Sequence, residues 1–163
     1  IHFKLKSIFY SKNSFPFKKV KNYFSTSNYI KSIIMQNKMR LYGSLFMVIA
    51  IVLGAFGSHY LKTILEPDSL LNFEVGVRYL IYHGLALFFL SNISLESKRV
   101  EWQVLYLFVV GVIFFSGSIF VLSFKEYTPF PVRWLGPLTP IGGLALITAW
   151  CVLLIQFIRA GKK

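Results

Sequence analysis

An all-α, integral membrane four-helix bundle is the fold class that this chain predicts, on three observations. Of its 163 residues, 55% are hydrophobic and 15% charged, with a mean hydropathy of +0.60. Soluble domains run at about 45–50% apolar and about 25% charged. Three runs carry no Asp, Glu, Lys or Arg: Leu41–Leu61, Trp102–Phe124 and Trp134–Ile158. Each exceeds the ~18 apolar residues that read as a transmembrane helix. A fourth run, Phe73–Leu95, qualifies once Glu74 and Arg78 are accommodated near its start. The expected spans are about 41–61, 70–92, 102–124 and 134–158, within a single domain of residues 35–163.

Residues 1–34 form a basic N-terminal extension, and nine of the eighteen basic residues lie in residues 1–40, which hold no acid. One reading is a bacterial core beginning at Met35 or Met39, with a dispensable extension before it. The other is a mitochondrial presequence, basic and serine-containing, with Tyr23-Phe24-Ser25-Thr26-Ser27 as its processing region. A basic chain can also address nucleic acid. No binding motif accompanies these lysines, so nucleic acid is not an expected partner; the lipid bilayer is.

In the first helix, Gly43, Ala50, Gly54, Gly57 and Ser58 fall on one stripe at spacings of seven, four, three and one. Small residues let helix backbones approach closely in lipid. His59 follows at the membrane boundary. The second helix opens at Glu66-Pro67-Asp68, with proline and acid in the first turn. Stepping about 100° per residue from Glu74 puts Arg78, Tyr82, Tyr79 and His83 on one arc, and Phe73, Val77, Leu80, Gly84 and Leu87 on the other. Ionisable residues in a membrane are costly and ordinarily face a bundle interior, so the polar arc is expected inside. Glu74 and Arg78 also have the acid-first i,i+4 spacing of a same-helix ion pair.

The third helix is apolar except around Ser116-Gly117-Ser118. The fourth opens on Trp134-Leu135-Gly136-Pro137-Leu138-Thr139-Pro140-Ile141-Gly142-Gly143, which predicts a kinked first turn. Trp102 and Trp134 stand where interfacial aromatic belts are expected. The lone Cys151 reads as inert packing. Lys38, Arg40, Lys98, Arg99, Arg159, Lys162 and Lys163 fall on one side of four alternating spans, which puts both termini in the cytoplasm, or the matrix if mitochondrial.

Alternating spans bring His59, Glu74, Arg78, Ser116, Ser118 and Thr139 to one leaflet, with Tyr82 and the more central His83 trailing from it. This is the candidate structural or binding cluster. Gly54, Gly57, Ser58, Gly117, Gly142 and Gly143 are the expected packing residues. No nucleophile–base motif, phosphate loop or metal-ligand spacing is present, so no catalytic residue, metal or cofactor is expected.

Four of these motifs together resemble the family called domain of unknown function 423, whose eukaryotic relatives are called transmembrane protein 256. They are Leu53-Gly54-Ala55-Phe56-Gly57-Ser58-His59, Phe73-Glu74-Val75-Gly76-Val77-Arg78-Tyr79 with Tyr82-His83, Phe115-Ser116-Gly117-Ser118, and Trp134 to Gly143. Ser58 stands where the family usually has alanine, and Leu80 where glutamine is frequent. The resemblance implies a small four-helix membrane protein without an assigned activity, in a bacterial inner membrane or, through the eukaryotic relatives, a mitochondrial one. The expected function is a non-catalytic structural or accessory component of a membrane complex, with a membrane protein partner or its own oligomer. The alternative is a small transporter, channel or ligand-binding module using the Glu/Arg/His cluster.

Overall fold

The computed structural model describes residues 17–162 except 94, 96 and 130, with backbone alone for residues 17–29, 31 and 133. Most of the extension's first half, including Ile1–Pro16, lies outside the described residues. Four α-helices follow: α1 (Phe17–His59), α2 (Pro67–Leu90), α3 (Lys98–Ser123) and α4 (Leu138–Ala160). Short 3-10 turns at Leu61–Thr63 and Val132–Leu135 precede α2 and α4. Ser32–Thr63 and the three later helices are each long and apolar enough to cross a membrane. The compact unit Ile34–Lys163 holds α2, α3, α4 and α1 from Ile34 onward.

The helix limits differ from expectation where local chemistry decides. α1 begins at Phe17 instead of near residue 40, because neither proline nor glycine interrupts residues 17–42. α3 begins at Lys98, where the Ser97 side chain accepts a hydrogen bond from the Val100 amide. α4 begins at Leu138, four residues late. The Pro137 ring would clash with the carbonyl four residues back, so Trp134-Leu135 closes as a separate 3-10 turn. Pro140 then sits in the first turn of α4, where its missing N–H costs nothing.

The core runs through the bundle as one cluster, with Leu87, Val104, Phe108 and Ala149 fully buried. α3 is the central helix, packed along both α2 and α4. The face of α2 buried in the bundle is Phe73, Gly76, Val77, Leu80, His83, Gly84 and Leu87. This corrects the expected orientation of α2: all but Gly76 and His83 had been given to lipid, whereas Glu74, Arg78 and Tyr82 are the exposed ones. The reason is that lipid tails are as apolar as leucine, so packing outranks polarity in choosing the interior face.

Two glycine crossings set the helix spacing. A Cβ on Gly142 would lie 2.3 Å from the Phe115 amide nitrogen and 2.8 Å from the Phe114 carbonyl carbon, so the backbones of α3 and α4 touch. On α1 and α2, a Cβ on Gly43 would lie 2.9 Å from the Gly84 carbonyl oxygen, and one on Gly84 3.1 Å from that of Gly43. Gly54, Gly57 and Gly143 have only ordinary neighbours, at 3.6, 3.4 and 3.6 Å. Among the described residues nothing lies within 4 Å of where a Gly117 Cβ would stand, so it is not a packing residue.

Gly142→Ala is therefore expected to destabilise the bundle by about 1–3 kcal/mol in detergent unfolding, since backbone must move. Gly117→Ala is expected not to destabilise, and to raise stability by up to about 1 kcal/mol in the same measurement, since alanine is the better helix former.

Candidate functional site

The ends of α1 and α3 meet the start of α2 at Phe73. Its ring lies 3.4 Å from where a Gly57 Cβ would stand, 5.0 Å by centroid from Phe120 and 6.1 Å from Phe124. Beside it a groove of about 250 Å³ opens between α1 and α2, lined by Gly54, Gly57, Ser58, Phe73, Glu74, Val77 and Arg78. The small residues of α1 leave this space because no side chain fills it. Ser58 turns its hydroxyl back to the Gly54 carbonyl, at 2.7 Å.

Glu74 and Arg78 share the groove but form no ion pair with each other; among the described residues the ion pair joins Lys98 and Glu101, 2.9 Å apart. The expected i,i+4 clasp is therefore absent. Both side chains are exposed, so neither is forced onto the other by burial. Glu74 lies seven residues after Pro67, roughly 10 Å along the helix, and Arg78 roughly 16 Å along it. Two charged groups thus stand on the outer surface of a helix long enough to span a membrane.

His83 lies elsewhere. It is 4% exposed, on the face opposite the groove charges, and both ring nitrogens have partners. Nδ1 lies 2.8 Å from the Tyr79 carbonyl oxygen, which can only accept, so Nδ1 carries the hydrogen. Nε2 then accepts from the Trp150 indole N–H at 3.4 Å. Tyr79 stacks on the imidazole at 5.8 Å, and Phe108 meets it edge-on at 5.3 Å. His83 thus pins α2 to α4 inside an aromatic nest. Trp150, its partner, had no signal in the sequence beyond being aromatic in an apolar run.

The third polar pair is Ser118 and Thr139, whose hydroxyls lie 2.6 Å apart and tie the end of α3 to the start of α4. Ser118 is 4% exposed and also reaches the Phe115 carbonyl at 3.0 Å. Ser116 is buried two residues earlier, and among the described residues its hydroxyl has no partner. His59 and Tyr82 are exposed and do not line the groove. Cys151 is exposed on α4, so the expected packing role does not hold. The expected single cluster is accordingly three separate features: a charged groove, a buried histidine pin and a hydroxyl clasp.

The family profile described as "Protein of unknown function (DUF423)" matches residues 53–143. A UPF0382 membrane protein of Staphylococcus haemolyticus is 39% identical over 115 residues, covering 70% of this chain and 89% of the relative. One from Schizosaccharomyces pombe is 36% identical over 109 residues, covering 66% and 91%. The UPF0382 membrane protein YwdK of Bacillus subtilis is 29% identical over 119 residues, covering 72% and 93%. No solved structure matches the chain.

Two outcomes follow from these contacts. A double-mutant cycle of Glu74→Leu with Arg78→Leu is expected to give a coupling below about 0.5 kcal/mol, as for exposed charges that do not pair. The cycle of Ser118→Ala with Thr139→Val is expected to give about 0.6–1.7 kcal/mol, the range for hydrogen bonds between membrane helices. Both are read from unfolding in detergent.

Proposed function

The chain belongs to the DUF423 family of membrane proteins, and on that premise we propose that it is a non-catalytic accessory component that works by lateral association in the bilayer. The observation that carries this reading is the groove between α1 and α2. A charged side chain at the centre of a membrane helix costs about 2.5–3.5 kcal/mol. Glu74 and Arg78 meet that environment without pairing, beside a channel floored by Gly54 and Gly57. A second transmembrane helix, small-residued and carrying a polar group, would fill the groove and give both charges partners. Such a helix belongs to a membrane protein partner or to another copy of this chain.

Three further features support a non-catalytic role. His83 has both nitrogens engaged, so neither is free to act as a base. Ser118 is held by Thr139 and by its own helix. The transporter reading needed Glu74, Arg78 and His83 together, and His83 is on the opposite, buried side of α2. We take the membrane to be the bacterial inner membrane, with the mitochondrial inner membrane as the alternative that a yeast relative brings. The basic ends of the spans then face the cytoplasm or the matrix.

Purification in mild detergent followed by mass analysis should yield a stoichiometric membrane partner or a homo-oligomer. A photo-crosslinking residue at Ser58 should capture it, and Arg78→Ala should reduce capture at least severalfold while leaving the helical content intact. A monomer without crosslinks in native membranes would sink the proposal.

A further inference from the structure

The end of the bundle away from the groove carries one-sided charge. Among the described residues six basic ones stand there, Lys38, Arg40, Lys98, Arg99, Arg159 and Lys162, against Glu101. In the sequence, the connections at the groove end hold Lys62, Lys125 and Arg133 against Glu66, Asp68 and Glu126. Glu101 is 5% exposed and already held by Lys98.

Arg40 is the fixed point of this basic end. Its Nε donates to Ser91 Oγ at 3.3 Å, and its two terminal nitrogens donate to Asn92 Oδ1 at 3.2 Å and Asn37 Oδ1 at 3.5 Å. All three acceptors are neutral. The guanidinium is thus oriented while its charge has no counter-ion among the described residues, and donors of its fork remain for another ligand. Lys38 leaves the other flank of α1 and reaches over Trp102, 4.3 Å from the ring centroid. Trp102 is half exposed, in the first turns of α3, at the depth where indoles mark the membrane–water interface. Both cations turn toward the connection from α2 to α3. Below Lys38 at helical spacing, Leu41, Leu45 and Val48 make an exposed apolar stripe.

We propose that this edge of the bundle binds the head group of an anionic phospholipid. The phosphate oxygens accept from the unused donors of Arg40 and from the Lys38 ammonium. The indole of Trp102 packs beside the head group, and the acyl chains lie along Leu41, Leu45 and Val48. Charge selects the lipid: an anionic head group supplies the counter-ion that Arg40 lacks, whereas a zwitterionic one brings its own cation.

Native mass spectrometry of the full chain in mild detergent tests this with phosphatidylglycerol, phosphatidylcholine and inorganic phosphate. Phosphatidylglycerol should be retained roughly tenfold more strongly than phosphatidylcholine. Arg40→Gln should weaken its retention by about tenfold, since it removes the charge. Lys38→Gln should weaken it several-fold without touching Ser91 or Asn92, and decides the matter alone if Arg40→Gln does not fold. Equal retention of the two lipids, an unchanged preference in Lys38→Gln, or displacement of phosphatidylglycerol by equimolar inorganic phosphate would each overturn the assignment.

Discussion

At the crossing of α3 and α4 a Cβ on Gly142 would stand 2.3 Å from a backbone nitrogen of α3, so only a hydrogen fits between the two chains. Association in lipid has no hydrophobic drive, because tails and side chains are equally apolar. What remains is dispersion between closely fitted surfaces, and it falls off within an ångström of separation. Gly142 with Gly111, and Gly43 with Gly84, provide that fit at the two crossings where backbone meets backbone. The interdigitation of Leu87, Val104, Phe108 and Leu153 depends on this spacing.

The polar groups then distribute according to the packing. Helix α2 turns its bulky apolar side and its two close-packing glycines inward, which carries His83 in with them. A histidine in that position must have both nitrogens satisfied, and the Tyr79 carbonyl and Trp150 indole do so. Glu74 and Arg78 are left outside for the same reason: they lie on the side of α2 that the core does not need. Their position in the groove follows from Gly54 and Gly57, which are too small to fill the space beside them.

The two ends of the bundle consequently differ in kind. One is a balanced end with a groove and two charges inside the span. The other is a basic end where Arg40 joins the start of the α1 span to the end of α2 through Ser91 and Asn92. Arg40 was legible in the sequence only as a topology signal. Its latch could have been suspected, since alternating spans bring residues 40, 91 and 92 to the same side.

By itself the sequence determined the membrane, the four spans and the helix starts that carry strong local chemistry. The uncharged runs admit no other reading in lipid, and Pro67 acts through its own ring at the start of α2. It also brought Ser118 and Thr139 to one level, because alternation alone requires it. Only the tertiary structure decided which face of α2 looks inward. Periodicity separates polar from apolar faces but does not say which is buried when the solvent is itself apolar. The absence of the Glu74–Arg78 pair has the same origin: i,i+4 spacing brings the residues to one face, while pairing depends on burial, which α1 leaves incomplete beside the groove. For that reason the small-residue stripe of α1 was visible in the sequence, and its division into a backbone contact at Gly43 and a groove at Gly54 and Gly57 was not.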